Sequence, residues 1–237
     1  ILVEFTNTLL VTIDKSISNS IGKTAIIVFS SFFTLNWAIN TIQACVSSAH
    51  TICLARDKQN AKQINNSAMF IEILSSVIIS IILFTFSKQI TYVYNLENNA
   101  REILSIILKL KAIQLPIHSI GYVPKNILKI DTKTNKIWIA TVISSLVNIF
   151  GDFLSVKLGY NEIGIYIATI ISSLINSILL LILSIKSSIF SFFSFSYNNF
   201  KFFDFIISNI IKISSFGQNF LIKSYQQILS TNCDKHY

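Results

Sequence analysis

At 237 residues, with 52% hydrophobic and only 13% charged residues and a mean hydropathy of +0.61, this chain carries too few charges for a soluble domain, in which about a quarter of residues are charged. Its net charge of +8 does not make a nucleic-acid interface. No basic stripe interleaved with aromatics occurs, and most Lys and Arg fall between apolar runs, where a topogenic role explains them. The implied partner is a lipid bilayer.

A spanning helix needs about 20 mostly apolar residues. Six regions meet or approach that length: residues 1–13, 24–54, 67–86, 103–123, 137–156 and 163–185. A weaker seventh, 202–229, is interrupted by Lys212, Gly217, Gln218, Asn219 and Lys223. Lipid leaves an open chain no other way to satisfy its backbone groups, so all should be helices. The fold class expected is an all-α integral membrane protein: a six-helix transmembrane bundle over residues 1–186, an interfacial linker over 187–201, and the start of a second lobe with a partial seventh helix over 202–237. The linker follows from the Phe- and Ser-rich, nearly uncharged stretch 190–203.

Loop charges orient the bundle. Arg56, Lys58 and Lys62 follow the second run, Lys125, Lys129, Lys133 and Lys136 follow the fourth, and Lys186 and Lys201 follow the sixth. The positive-inside rule places these in the cytoplasm, against the sparser set Lys15, Lys23, Lys88, Arg101 and Lys157. Cys45, Cys53 and Cys233 form no metal-ligand spacing and no even disulfide set, so reduced thiols are expected. The chain begins at Ile1 inside an apolar stretch with no basic leader, which reads as a fragment of a longer protein without a cleavable signal peptide.

The candidate functional residues are polar intrusions into these runs. Asn148 and Asp152 stand one turn apart on one helix face. A carboxylate in such a run is expensive and needs a partner or a task. With an amide oxygen beside it, it makes a hard-oxygen cluster suited to sodium or to a proton. Thr169 on the next helix would add a hydroxyl, and Asp14 on the first a second carboxylate. Two carboxylates in a low-dielectric pocket do not both stay ionised unless a cation sits between them. The spacing also fits Asp152 snorkelling to water beside Lys157, and Asp14 as an ordinary helix-end residue. Asn36, Asn40 and Gln43 form a polar stripe, either interhelix glue or cavity lining. Lys109 and Lys111 cannot both face lipid, and either line a cavity or pair with an acid. Glu72 should reach the interface, His118 should pack, and Pro116 and Pro124 should bend the fourth helix. No nucleotide-binding glycine loop, zinc motif or nucleophile elbow is present, so an enzyme is not expected.

The run Asp131-Thr132-Lys133-Thr134, then Asn148 and Asp152, then Gly159, Gly164 and Ala168-Thr169, resembles the multidrug and toxic compound extrusion (MATE) transporters. In that family a polar "gDTk" loop precedes a fifth helix ending in an "N…D" pair, and the sixth opens with "lG…GaAiAT". Ile13-Asp14 through Ile21-Gly22 resembles the family's "vD…lG", and residues 56–61 resemble its loop between helices two and three. The ordered motifs cover nearly the whole chain, which resembles the N-terminal lobe of a two-lobed transporter. Departures are Lys125 where an arginine is usual, Ala55-Arg56 where a glycine is usual, and Ser214-Ser215 where a proline is usual.

The resemblance implies a coupling cation, sodium or a proton, at Asp14, Asn148, Asp152 and Thr169, with no other cofactor. It implies an antiporter exporting small organic, cationic solutes, with the second lobe of the full-length chain as partner, in a bacterial inner membrane. Two other readings stand: a lipid-linked saccharide flippase of the same superfamily, which needs a more basic cavity, and a non-transporting structural subunit.

Overall fold

The computed structural model describes residues 2–185 and Ser187. Among them are seven helices: α1 (Leu2–Ile21), α2 (Lys23–Arg56), α3 (Ala61–Tyr92), α4 (Asn98–Ser119), α5 (Tyr122–Ile130), α6 (Thr134–Lys157) and α7 (Asn161–Ile185). There is no strand among the described residues. Helices α4 and α5 together make one 33-residue span, Asn98–Ile130, interrupted at Ile120–Gly121. Pro116 lies inside α4 and Pro124 in the first turn of α5. A proline there removes a backbone donor and crowds the carbonyl a turn earlier, which accounts for the break. Five spans, counting that pair as one, are long and apolar enough to cross a bilayer. The 20 residues of α1 extend roughly 30 Å, about the thickness of a bilayer core, but carry too many polar residues to count among those five spans. The chain is an all-helical, multi-pass integral membrane protein. The expected interfacial linker and seventh helix lie outside the described residues.

Two helix boundaries differ from the sequence reading in ways that matter for the site. The first helix does not stop at residue 13 but runs through Asp14 to Ile21, burying Ile17 and Ser18. Asp14 is thus a mid-helix residue. Helix α3 begins at Ala61, not 67, because the polar residues Lys62, Gln63, Asn65 and Asn66 extend the helix below the apolar run.

Packing is inverted relative to a soluble protein. Trp37, Phe84, Phe150 and Phe153 are exposed, where lipid would cover them, while Gln43, His50, Glu72, Asn126, Asn148 and Asp152 are fully or almost fully buried. Apolar clusters fill the gaps. Leu54, Ile64, Ala68 and Ile127 knit α2, α3 and α5, and Val28, Leu104, Ile107 and Leu108 join α2 to α4. Many of the hydroxyls bond back along their own helix, as Thr141 does to the Ile137 carbonyl at 2.9 Å, which makes them tolerable in an apolar medium.

Helices α6 and α7 pack face to face because two glycines let them. A Cβ on Gly151 would stand 2.7 Å from Ala168 Cβ, and one on Gly164 would stand 2.5 Å from Ser155 Cβ. The turn between them is closed by Gly159 at φ +78°, with the Tyr160 amide donating to the Ser155 carbonyl at 3.0 Å. That left-handed cap is where glycine costs nothing. At the other end, Asp131 caps α5, accepts from Lys133 Nζ at 2.9 Å and accepts from the Ser187 hydroxyl. The loop between α5 and α6 is thereby tied to the end of α7. Partial burial pushes the Asp131 carboxyl up, but the Ser187 hydroxyl and the Lys133 ammonium outweigh it and hold the group below the usual carboxylate range.

Gly164→Ala should therefore destabilise the detergent-solubilised protein by about 1–3 kcal/mol, read as a lower thermal midpoint with unchanged helix content. Asp131→Asn tests the loop tie. A depressed carboxyl stabilises above its unfolded value of about 3.9 and loses that contribution as pH falls through the lower folded value. The mutant should thus be less stable than wild type at neutral pH, with the difference closing in acid.

Candidate cation site

Helices α1, α6 and α7 bring the polar intrusions together. Helix α1 packs against α6, and α6 against α7. Asn148 Nδ2 donates to Asp14 Oδ1 at 3.3 Å and to Asp152 Oδ2 at 3.2 Å. One amide nitrogen thus stands between two carboxylates from different helices. The i, i+4 spacing on α6 provides one bond, and the extension of α1 past residue 13 provides the other. Ser172 on α7 donates to Asn148 Oδ1 at 3.1 Å, fixing which way the amide points. Asn148 and Asp152 are buried and Asp14 is half-buried, and Asp152 Oδ1 has no hydrogen-bond partner among the described residues. Among the described residues neither carboxylate has a Lys or Arg partner.

That charge arrangement decides what the site can do. With Asp152 buried, Asp14 half-buried and no base among the described residues, an ionised pair would carry a desolvation cost, largest at Asp152, plus mutual repulsion. A proton shared between them, or a monovalent cation among their oxygens and the Asn148 carbonyl, removes both penalties. Tyr166 completes the surroundings. Its ring packs edge-on against Phe32 at 4.7 Å, its hydroxyl is buried without a partner, and both acids lie within electrostatic range of it.

Beside the acids is a polar cavity of about 260 Å³, lined from α1 by Asn7 and Leu10, from α4 and α5 by Gln114, His118, Tyr122 and Lys125, and from α6 and α7 by Thr141, Thr169, Ser172 and Asn176 among others. Ser172 belongs to both the cavity wall and the acid cluster. Thr169 lines the cavity, but its hydroxyl donates to the Ile165 carbonyl at 3.0 Å, and the hydroxyl that reaches Asn148 is that of Ser172, one turn on.

The remaining candidates spread out. Lys111 is buried and donates to Gln114 Oε1 at 3.1 Å, placing its charge just behind the cavity wall. Lys109, two residues earlier, points away, its Nζ 5.8 Å from the Phe84 ring centroid, and lines a separate pocket of about 400 Å³ with Lys88, Arg101 and Glu102. Neither lysine forms an ion pair among the described residues. Asn36 and Asn40 each hold a buried carbonyl oxygen without a partner, while Gln43 Oε1 accepts from the Tyr122 hydroxyl at 3.4 Å. His118 packs edge-on against Tyr122 at 4.9 Å.

Glu72 requires a correction. It does not reach the interface but is fully buried, because α3 starts six residues before the apolar run and so carries residue 72 deeper. Sequence reasoning also missed a buried network. His50 Nε2 contacts Asn65 Oδ1 at 2.9 Å, and Asn126 Nδ2 meets His50 Nδ1 at 3.1 Å and Ser47 Oγ at 2.9 Å. The signal for it was available: Ser47 and His50 continue the helical spacing of Asn36, Asn40 and Gln43.

The profile of the family described as polysaccharide biosynthesis protein matches residues 38–236. The chain belongs to that family. Several solved transporters share the chain's fold. One is a MOP superfamily transporter from Pyrococcus furiosus whose binding pocket of reverse polarity is reported to suggest a different function. It is 19% identical, with a TM-score of 0.76 over 89% of this chain and 48% of that one. An outward-facing multidrug resistance MATE family transporter of the MOP superfamily gives the same identity, TM-score and coverage. A MATE in the bent conformation gives 19% identity and a TM-score of 0.73 over 84% of this chain and 47% of that one. The chain thus spans about half the length of the solved transporters it matches. No curated protein matches it.

A double-mutant cycle between Ser172→Ala and Asn148→Ala should give a coupling of about 0.5–3 kcal/mol in thermal stability. Zero coupling would mean that the hydroxyl does not orient the amide.

Proposed function

We propose that this chain is one lobe of a cation-coupled transporter, in which a proton or sodium ion taken up at Asp14, Asn148 and Asp152, with Thr169 on the adjoining cavity wall, drives solute across a bacterial inner membrane. The observation that carries this reading is the pair of carboxylates bridged by a single amide in a lipid-embedded bundle with no basic partner. Such a pair is stable when neutralised and strained when bare, so its occupancy biases any conformational change that alters access or separation. A cation favouring one conformation shifts the equilibrium by its differential affinity; equal affinity for both would shift nothing. The movement of α1 against α6 would change the distance between Asp14 and Asp152, because they sit on different helices. The second lobe, in the remainder of the full-length chain, supplies the opposing wall.

Two readings of the solute follow. One is a small organic cation. The other is a saccharide carried on a lipid through an anionic linkage, and the polysaccharide biosynthesis family supports it. So does the cavity: Lys125 lines it, Lys111 stands behind Gln114, and neither forms an ion pair among the described residues. An ammonium group in the wall, with a second just behind it, disfavours a cationic solute and attracts a phosphate-linked one. We therefore favour the lipid-linked saccharide.

Sodium and proton binding to the full-length protein, with and without Asp152→Asn, tests coupling. The expected outcome is a folded mutant with normal yield and no cation response, and whichever ion loses its binding is the coupling ion. A mutant with normal cation response, or a parent that binds neither ion, would leave the acids as helix-to-helix glue.

A further inference from the structure

A second buried acid lies outside the cluster at Asp14 and Asp152. Glu72 on α3 is fully buried, and neither carboxyl oxygen has a hydrogen-bond partner among the described residues. Buried polar atoms are nearly always satisfied, so two orphaned oxygens on one carboxyl need an explanation. The register between α2 and α3 gives the surroundings. The two helices are antiparallel neighbours joined by a short loop, and His50 bonds Asn65 across them at 2.9 Å. Gln43 and Glu72 each lie seven residues, two turns, farther from that loop, on the same faces. Gln43 is also fully buried, and its Nε2 is likewise without a partner. Its Oε1 accepts from the Tyr122 hydroxyl, Tyr122 is within electrostatic range of Glu72, and Tyr122 lines the central cavity.

We propose that Glu72 is a second proton-binding site of this lobe, loaded from the central cavity past Tyr122 and Gln43. The occupant is a proton and not a metal ion, because one carboxyl and one amide supply too few oxygens for a dehydrated sodium ion. The ionisable groups near this level on the helices packed against α3 are His50 on α2, Lys111 and His118 on α4, and Tyr122 and Lys125 on α5. None forms an ion pair with Glu72 among the described residues. His50 is held by a donor on one ring nitrogen and an acceptor on the other, as a neutral imidazole requires. Only a proton, then, neutralises this carboxyl.

Depth separates the two sites. Counted from the lysine-rich loops, Glu72 is eleven residues up α3 from Ala61 and Asp152 eighteen up α6 from Thr134, roughly 16 Å and 27 Å along their helices. The cavity lies between them, touching Ser172 on the side of the acid pair and Tyr122 on the side of Glu72. A proton reaching the cavity from one acid site therefore has an acceptor on the other side. It binds a Glu72 oxygen, neutralises the carboxylate and leaves again when that side hydrates.

The test is the number of protons taken up per molecule on acidification by the full-length protein in liposomes, for wild type, Glu72→Gln, Asp152→Asn and Tyr122→Phe. The expected result is the loss of one proton in Glu72→Gln, retention of it in Asp152→Asn, and the full number at a slower rate in Tyr122→Phe. An unchanged count in Glu72→Gln overturns the proposal and leaves the Asp14–Asp152 reading standing. An unchanged count in Asp152→Asn removes the proton form of that reading and leaves this one. Should Glu72→Gln not fold, infrared spectra of the wild type with isotope-labelled glutamate decide. A buried-carboxyl carbonyl band that is labelled, grows on acidification and is absent at high pH supports the proposal; no such band, or one that never titrates, overturns it.

Discussion

The interior of a bilayer protein has no water with which to hydrate a charge, and the architecture around Asn148 follows from that constraint. An ionised carboxylate can remain there only with a base, a cation or a proton. The bundle supplies no base to Asp14 or Asp152 and instead inserts one amide between them. An amide donor lessens the strain of the bare pair without satisfying it. On the proposed function this leaves the pair dependent on an exchangeable cation, which a coupling site needs and a structural salt bridge would prevent.

The rest of the packing serves to place that amide. Ser172 orients Asn148 only because α7 approaches α6 closely, and that approach rests on Gly151 and Gly164, where added Cβ atoms would collide with Ala168 and Ser155. The tight turn at Gly159 returns the chain in the register this contact needs. At the far end the bond from Ser187 to Asp131 holds α7 to the loop that launches α6. The glycines the sequence places around Asp152 and Thr169 are therefore packing devices for the site, and the hydroxyl they bring into contact lies one turn from Thr169.

How much of this was legible depended on how loudly each residue violated its surroundings. The five long apolar spans were readable because such runs have no soluble alternative, and Asp152 stood out because a carboxylate in mid-run is so costly. Asp14 was ambiguous while the first helix was thought to end beside it, since a helix continuing through Asp14, Lys15 and Ser16 has no hydropathic signature. Glu72 was misplaced for the same reason: the polar opening of α3 looks like loop, which put residue 72 only a turn or two from the interface. Ser172 and His50 carry no cost signal of their own, because serine bonds to its helix and a neutral imidazole is tolerated. Only the packing shows what they touch.

The family adds a consideration about polarity that neither the motifs nor the spacing supplies. The acid pair lies on the α1, α6 and α7 side of the lobe, whereas Lys111, Lys125 and His118 lie on the α4–α5 side of the same cavity. One small chamber therefore presents acids that want a cation and ammonium groups that want an anion, and neither set satisfies the other by direct pairing among the described residues. In a low-dielectric chamber such separated charges still act on each other. On the proposed function, neutralising the acids with a cation would raise the net positive potential of the cavity and strengthen its hold on an anionic solute. Removing the cation would lower it again. Coupling of an anionic, lipid-linked solute to a proton or sodium ion can therefore arise from electrostatics within this lobe, with movement of the helices needed only to change which side of the membrane the chamber faces.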